Sequence, residues 1–346
     1  MTYRIRSRPW SQEKPPKKIL VLRFQALGDL MITLPYLQSL KDQIAQVQIH
    51  LLTRREVHEI PKGLLLFDKV LSIGGGRNAK VQFVICMLML PLLWLQRYDA
   101  VIDLQNHRIS KILRRLLNAK AWSEFDRSSS VLAGERTRLT IDALNVAKTK
   151  IATTFQLRQS LALEKKLKSR HWSGNSLVVL NPAGAFESRH WPIDNYVAFS
   201  RRWLSRDPHA QFLILGLNSL QPRVELLKRE LGQYLIDLMG QTSQLETFAM
   251  LRLASLVVTE DSGLMHMAWV QGVPTLALFG SSPSYWSSPL GNWSKCLNSA
   301  DLPCGDCFQE KCRFNDVHCL TRWSPEKVFA AAEELLASLE KEHKQR

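Results

Sequence analysis

"KKILVLRF", residues 17–24, runs without a break into "QALGDL" and then into Met31, Leu34, Leu37 and Leu40 at helical spacing. A short apolar run, a glycine-bearing turn and an amphipathic helix make a βα unit. Its strand is apolar on both sides and so must be covered on both faces. The pattern recurs. "VQIHLLT" (47–53), "KVLSI" (69–73) and "DAVIDLQ" (99–105) supply further strands, and a second set runs through "SLVVLNP" (176–182), "QFLILG" (211–216), "LVVTE" (256–260) and "PTLALFG" (274–280). Strands alternating with helices predict an α/β fold with mainly parallel sheets. The polar stretch "KKLKSRHWSGN" (165–175) separates the two sets. The expected organisation is a flexible basic arm over 1–16, a Rossmann-like domain over 17–165 and a linker at 166–175. A second Rossmann-like domain over 176–323 follows, with a Cys-rich loop at 296–319, and a helix over 324–346 closes the chain. Two such domains facing each other would leave a cleft at the carboxyl ends of their strands, where ligands bind in such folds.

Charge narrows the partners. The 346 residues hold 46 Lys and Arg against 31 Asp and Glu, a net +15 that calls for an anionic partner: nucleic acid, an acidic membrane surface or a phosphorylated ligand. The arm contributes Arg4, Arg6, Arg8 and Lys14 against Glu13. No apolar h-region follows those charges, so the arm does not read as a secretory signal and a cytoplasmic location is expected. "VQFVICMLMLPLLWL" (81–95) is nearly all apolar, yet it is 15 residues long with Pro91 inside. A spanning helix needs about 20. The segment is either a helix packed on a sheet or an apolar face lying on a membrane, where Arg77, Lys80 and Arg97 would suit anionic headgroups. In "RISKILRRLLNAKAW", Ile109, Ile112, Leu113, Leu116 and Leu117 form one stripe and the charges form the other face. Arg108, Lys111, Arg114 and Arg115 there are candidate acceptor or membrane contacts, or simply a solvated face.

Three junctions could carry chemistry. In "FQALGDL", Gly28 permits close backbone approach or a positive φ, and Asp29 sits where the helix begins. Asp29 is either a helix cap or a general base. A helix N-terminus stabilises a carboxylate, so it would act on a hydroxyl whose proton becomes acidic as it attacks. In "NPAGAFESRHWP" (181–192), main-chain N–H groups around Gly184, together with Arg189, could hold phosphate oxygens. In "TEDSGLMHMAWVQGVPTLALFG" (259–280), Asp261, Ser262 and Gly263 occupy the first turn of a helix, where unpaired N–H groups attract anions, and His266 lies one turn on. The alternative is Asp261 as cap and His266 as a satisfied core residue; Glu260 has no assigned role and is expected to do no more than face solvent.

Taken in order, "ILVLRFQALGDLMITLPYLQSLK", "VVLNPAGAFESRHWPIDNYVAFSRRW" and "DSGLMHMAWVQGVPTLALFG" resemble glycosyltransferase family 9, the lipopolysaccharide heptosyltransferases, over about residues 17–340. The resemblance implies the GT-B arrangement of two facing Rossmann-like domains and inverting transfer of a heptose from an ADP-sugar. It makes Asp29 the base that deprotonates the acceptor hydroxyl. Ser262, Gly263, Leu264 and His266 would bind the donor diphosphate, and Asp261 would contact the donor sugar. Arg189 stands where the family usually has lysine and would neutralise the leaving ADP, with a planar fork in place of a compact ammonium. The implied partners are an ADP-sugar donor and a lipopolysaccharide core precursor at the inner face of the bacterial inner membrane. No nucleic-acid-binding motif is present. There is no Asp-x-Asp pair to hold a divalent ion under a sugar nucleotide, so metal-independent chemistry is expected, with no cofactor required. Two other classes stay open: a GT-B enzyme with another donor or epimerase activity, and a non-catalytic nucleotide-sugar-binding relative.

Cys304-x2-Cys307-x4-Cys312-x6-Cys319 is a tight cluster, with Cys86 and Cys296 outside it. Four such cysteines can enclose a structural zinc ion, or they can pack in a loop as reduced thiols.

Overall fold

The computed structural model describes residues 5–345. Residues 1–4 of the expected arm, Arg4 among them, and Arg346 of the closing helix lie outside the described residues. The chain divides into two compact units, Met1–Ser160 and Leu161–Arg346. The first contains, in order, β1 (Ser7–Arg8), β2 (Lys18–Leu22), α1 (Leu27–Gln43), β3 (Gln48–Arg54), α2 (Glu59–Gly63) and β4 (Lys69–Ile73). It continues with α3 (Ala79–Leu95), β5 (Ala100–Asp103), α4 (Arg108–Leu117), β6 (Ala121–Glu124) and α5 (Ala133–Asp142). The second opens with α6 (Leu163–Lys168), β7 (Leu177–Asn181), α7 (Ile193–Arg206), β8 (Gln211–Ile214), α8 (Gln221–Leu231) and β9 (Leu235–Asp237). Then come α9 (Gln244–Met250), β10 (Leu256–Glu260), α10 (Gly263–Trp269), β11 (Thr275–Leu278), α11 (Ser284–Ser287), β12 (Ser294–Leu297), α12 (His318–Thr321) and α13 (Pro325–Gln345).

Each unit is built on one six-stranded sheet. The orders are β1-β6-β5-β2-β3-β4 and β12-β11-β10-β7-β8-β9. All pairs are parallel except β1 with β6. In both, the first parallel strand is central and the chain winds outward to one side before crossing to the other. That is doubly wound topology, and it opens a crevice at the carboxyl end of the two strands where the winding reverses. In the first unit those strands are β2 and β5; in the second they are β7 and β10. The central strands are buried end to end, as their apolar sequences require. Trp191, Phe199, Trp203 and Phe212 pack with β7, β8, β10 and β11 and with α13 into the core of the second unit.

Three expectations change. From Ile5 onward the basic arm is tied down rather than loose. β1 pairs antiparallel with β6, Glu124 N–H donates to Arg6 O over 3.0 Å, and Trp10 N–H donates to Leu144 O over 2.8 Å. The physical reason is the edge of β6, whose backbone groups need a partner. The segment read as a linker belongs to the second unit: Leu167 of α6 is fully buried, Lys166 Nζ bonds Glu246 at 2.8 Å, and Ser173 N–H donates to Gln211 Oε1. The division falls instead between Ser160 and Leu161. Gly28 lies in the first turn of α1 and is not among the positive-φ glycines.

Among the described residues no helix is long and apolar enough to cross a membrane. α3 packs one side, through Cys86, Leu90 and Leu93, on the core of the first unit.

Candidate functional site

Both sets of sequence-predicted site residues fall at the winding reversals. In the first unit the chain leaves β2 toward α1 while the end of β5 reaches across to hold it. Gln105 Oε1 accepts the N–H groups of Phe24 and Gln25 at 2.9 and 3.1 Å. That fixes the loop leading to Asp29, the third residue of α1. Asp29 Oδ2 accepts from Ala26 N–H at 3.0 Å, so the carboxylate does cap the helix. Its other oxygen meets Arg23 Nη2 at 3.0 Å. Arg23 is the internal member of this pair: its side chain is 5% exposed against 44% for Asp29. The guanidinium also donates to Leu104 O and lies over the Phe125 ring. A buried guanidinium clamped from below leaves its carboxylate partner oriented and reachable by solvent, the posture a proton acceptor needs.

Beside this, the ends of β5 and β6 border an open depression of about 1230 Å3, lined among others by Arg6, Asn106, Lys111, Asp126 and Arg127. Of the four cationic candidates on α4, Lys111 faces it and is half-buried, and Arg108 and Arg115 are exposed. Arg114 is turned inward. It is buried, bonded to Glu124, 3.7 Å from Asp103 and stacked 3.9 Å over Trp122. It offsets two buried carboxylates inside the unit. Even so, burial pushes the Asp103 carboxyl up to about 6.

The second unit reverses the arrangement. Glu260, expected to face solvent, is fully buried at the end of β10. Its Oε2 accepts Gly184 N–H at 2.7 Å and its Oε1 accepts Trp191 N–H at 2.8 Å. Arg223 of α8 closes a bidentate pair at 2.8 and 2.6 Å and also donates to Trp191 O and Pro182 O. Glu260 and Arg223 together hold both ends of the 182–191 loop against the sheet. Gly184 is required there by close approach: a Cβ would stand 2.7 Å from Arg189 O and 2.9 Å from Glu260 Oε2. The Arg223 and Glu260 partnerships escaped sequence reasoning because they join residues distant in the chain, whereas Arg23 and Asp29 stand close in sequence on either side of the β2–α1 turn.

The loop delivers Arg189 onto Asp261. Arg189 Nη1 meets Asp261 Oδ2 at 2.9 Å, and Ser282 Oγ donates to the same oxygen at 2.6 Å. The Arg189 guanidinium lies 4.6 Å from the Phe186 ring centre and 5.2 Å from that of Phe308. Arg189 is 9% exposed, and its buried Nε has no hydrogen-bond partner among the described residues. Ser262 is the N-cap of α10, accepting from Met265 N–H, and Asn181 Nδ2 donates to its hydroxyl at 2.7 Å. Gly263 and Leu264 open that helix. Leu264 buries its side chain, so only its backbone is available to a ligand. α10 has seven residues, so any pull on an anion comes from its first N–H groups rather than from a long dipole. His266 is 5% exposed, and its Nδ1 accepts from the Trp269 indole N–H at 3.0 Å. An indole only donates, so the proton of the neutral imidazole is on Nε2. His266 is thus held in one tautomer by the core.

The cysteine loop brings its thiols close enough to act on one another. Burial first, then the neighbouring Cys312, Cys307 and Cys304, push the Cys319 thiol up to about 11. Among the described residues no three His, Cys, Asp or Glu side chains are grouped so as to hold a metal ion. All six cysteines are free.

The chain is similar to proteins of known kind. The model of glycosyltransferase family 9 (heptosyltransferase) matches residues 92–318. Lipooligosaccharide heptosyltransferase 2 of Campylobacter jejuni subsp. jejuni serotype O:2 is 28% identical over 170 residues, 47% of this chain and 52% of that protein. The match thus spans about half the length of that relative. A glycosyl transferase family 9 crystal structure from Veillonella parvula superimposes with a TM-score of 0.78 at 18% identity, covering 93% of this chain and 98% of that one. An E. coli heptosyltransferase solved with ADP gives 0.68 at 18% identity, covering 92% and 99%. At such identities these structures establish the fold, two Rossmann-like units of the GT-B class.

Proposed function

The chain belongs to glycosyltransferase family 9, and from that premise we propose that it transfers a heptose from ADP-heptose to the core of a lipopolysaccharide-type glycolipid, with inversion at the anomeric carbon. The acceptor hydroxyl attacks that carbon as its proton passes to Asp29. The bond to the diphosphate breaks and ADP leaves with the electron pair. Arg189 and the N–H groups at Ser262, Gly263 and Leu264 take the diphosphate with His266 beside them, whereas the Gly184 N–H is already given to Glu260 and the glycine serves by letting the loop approach closely. Asp261 keeps Arg189 aimed and contacts the donor sugar. Lys111 and Arg108 meet the acidic acceptor, whereas Arg114 stays inside the unit. No metal is required, because a fixed guanidinium and backbone donors offset the charge that develops on ADP. The reaction places the protein at the cytoplasmic side of a membrane that carries its acceptor.

The observation that carries this reading is the state of Arg189. It is a nearly buried cation, ringed by Phe186 and Phe308 and anchored by Asp261, with a donor nitrogen left unpaired. An unpaired buried donor costs roughly 1–3 kcal/mol, and an enclosed cation left with that deficit favours an anion such as a diphosphate beside it. The ADP of the E. coli relative fits that chemistry. The test is ADP release from ADP-heptose with and without a heptose-deficient core acceptor. Acceptor-dependent release supports the proposal; no release with any core acceptor defeats it.

A further inference from the structure

α3 has two apolar sides, and only one is used. Gln82, Cys86, Leu90 and Leu93, on one face, are buried. Val81, Val84, Leu88, Leu92 and Leu95 recur at the opposite face and are 41%, 55%, 76%, 42% and 77% exposed. No charged residue occurs from 81 to 96. A helix that lies on a protein surface normally turns a polar face to water. Here the outward stripe runs the length of a 17-residue helix, about 25 Å at 1.5 Å per residue. Trp94, 51% exposed, widens it: its indole N–H donates to Leu116 O at 3.0 Å, setting the exposed Leu116 of α4 alongside.

The rim of this patch carries one sign of charge. Arg77 and Lys80 precede the stripe and Arg97 follows it, all exposed, with Arg115 exposed on the adjoining α4. No Asp or Glu lies between Asp68 and Asp99, nor between Asp103 and Glu124. A second copy is a poor occupant, since two-fold pairing of this face would set like charges against each other. The helix is too short to span a bilayer and is held flat by its buried side, with the stripe outward.

We propose that the exposed face of α3, with Trp94 and Leu116, docks the protein onto an anionic lipid surface. The leucines and Trp94 enter the boundary of headgroups and acyl chains, and Arg77, Lys80, Arg97 and Arg115 meet the phosphates. This goes beyond the transferase proposal and stands on the surface alone.

The test is flotation of the full chain with vesicles of phosphatidylcholine containing one quarter phosphatidylglycerol, and with pure phosphatidylcholine. Leu88→Gln/Leu95→Gln alters only side chains already in water, so circular dichroism and melting should match wild type. The expected result is co-flotation of wild type with the anionic vesicles and a loss of about ten-fold or more in the leucine variant. Arg77→Gln/Lys80→Gln/Arg97→Gln should lose the preference for anionic vesicles. ADP release with a short, water-soluble core saccharide should be the same in wild type and the leucine variant, so that failure to float and failure of transfer are told apart. The proposal is overturned if wild type does not float, or if the leucine variant floats equally well. It is also overturned if sedimentation shows a dimer that the leucine substitutions abolish while vesicle binding persists.

Discussion

The two winding reversals solve one structural problem with opposite polarity. Each places a carboxylate beside the first strand's exit and pairs it with an arginine. In the first unit the arginine is inside and the carboxylate half out, Arg23 at 5% and Asp29 at 44% exposure. In the second the carboxylate is inside, Glu260 at 0% against 18% for Arg223. A carboxylate turned outward and held from behind can take a proton. One sealed inside by four donors can only hold a loop in place. The difference separates chemistry from scaffolding where the residue types alone do not.

Glu260→Ala should break the comparison hardest. It strands Arg223 and two backbone N–H groups, and removing one member of a buried pair costs about 3–5 kcal/mol. Denaturant unfolding should show that loss in the transition of the second unit. Glu260→Gln, which keeps the shape, should lose less.

The first unit has an acid-sensitive position at His50, whose imidazole burial lowers to about 4, with Tyr98 Oη 3.0 Å from its ring nitrogen. Its pKa is depressed on folding, so its contribution is full above pH ~6.5 and is lost as pH falls toward 4. That loss is of order 3 kcal/mol. The stability difference between His50→Gln and wild type should therefore shift in favour of the variant across that window, and stay constant above pH 7. A flat difference would place the imidazole in water.

Arg189→Ala should lower kcat/KM by about 100-fold, close to 3 kcal/mol, through the loss of charge opposite the leaving group. Arg189→Lys should recover part of it, since lysine keeps the charge but not the fork between Phe186 and Phe308. Steady-state kinetics on both variants separates charge from geometry. The smallest expected effect is that of metal removal: dialysis against EDTA should leave the rate of sugar transfer unchanged.

Much of this was legible in the chain. "ILVL", "LVVL" and "LVVT" could only be sheet interior, and the βα junctions after them located Asp29, Gly184, Arg189 and Ser262. The short strands β6, β9 and β12 were not legible, because "AWSE", "LID" and "SKCL" carry no apolar run and are strands only through their neighbours. Arg114 read as a surface charge because its partners, Asp103, Glu124 and Trp122, lie on other elements. Glu260 was misread for a similar reason. A lone acidic residue at a strand end looks solvent-exposed until the arginine from α8 and the two loop N–H groups are seen around it. Partnerships of this kind depend on tertiary packing, which residue spacing does not encode.

The outward carboxylate is the centre of the account, and Asp29→Asn tests it most directly. Asparagine keeps one oxygen, which can still accept from Ala26 N–H, and gives up the ion pair with Arg23, so unfolding and ADP-heptose binding are measured beside the rate to separate that loss from loss of the base. Acceptor-dependent ADP release should fall by about 100- to 10,000-fold, the usual worth of a general base. Release at the wild-type rate with a core acceptor would contradict the assignment, and with it the distinction drawn between the two carboxylates.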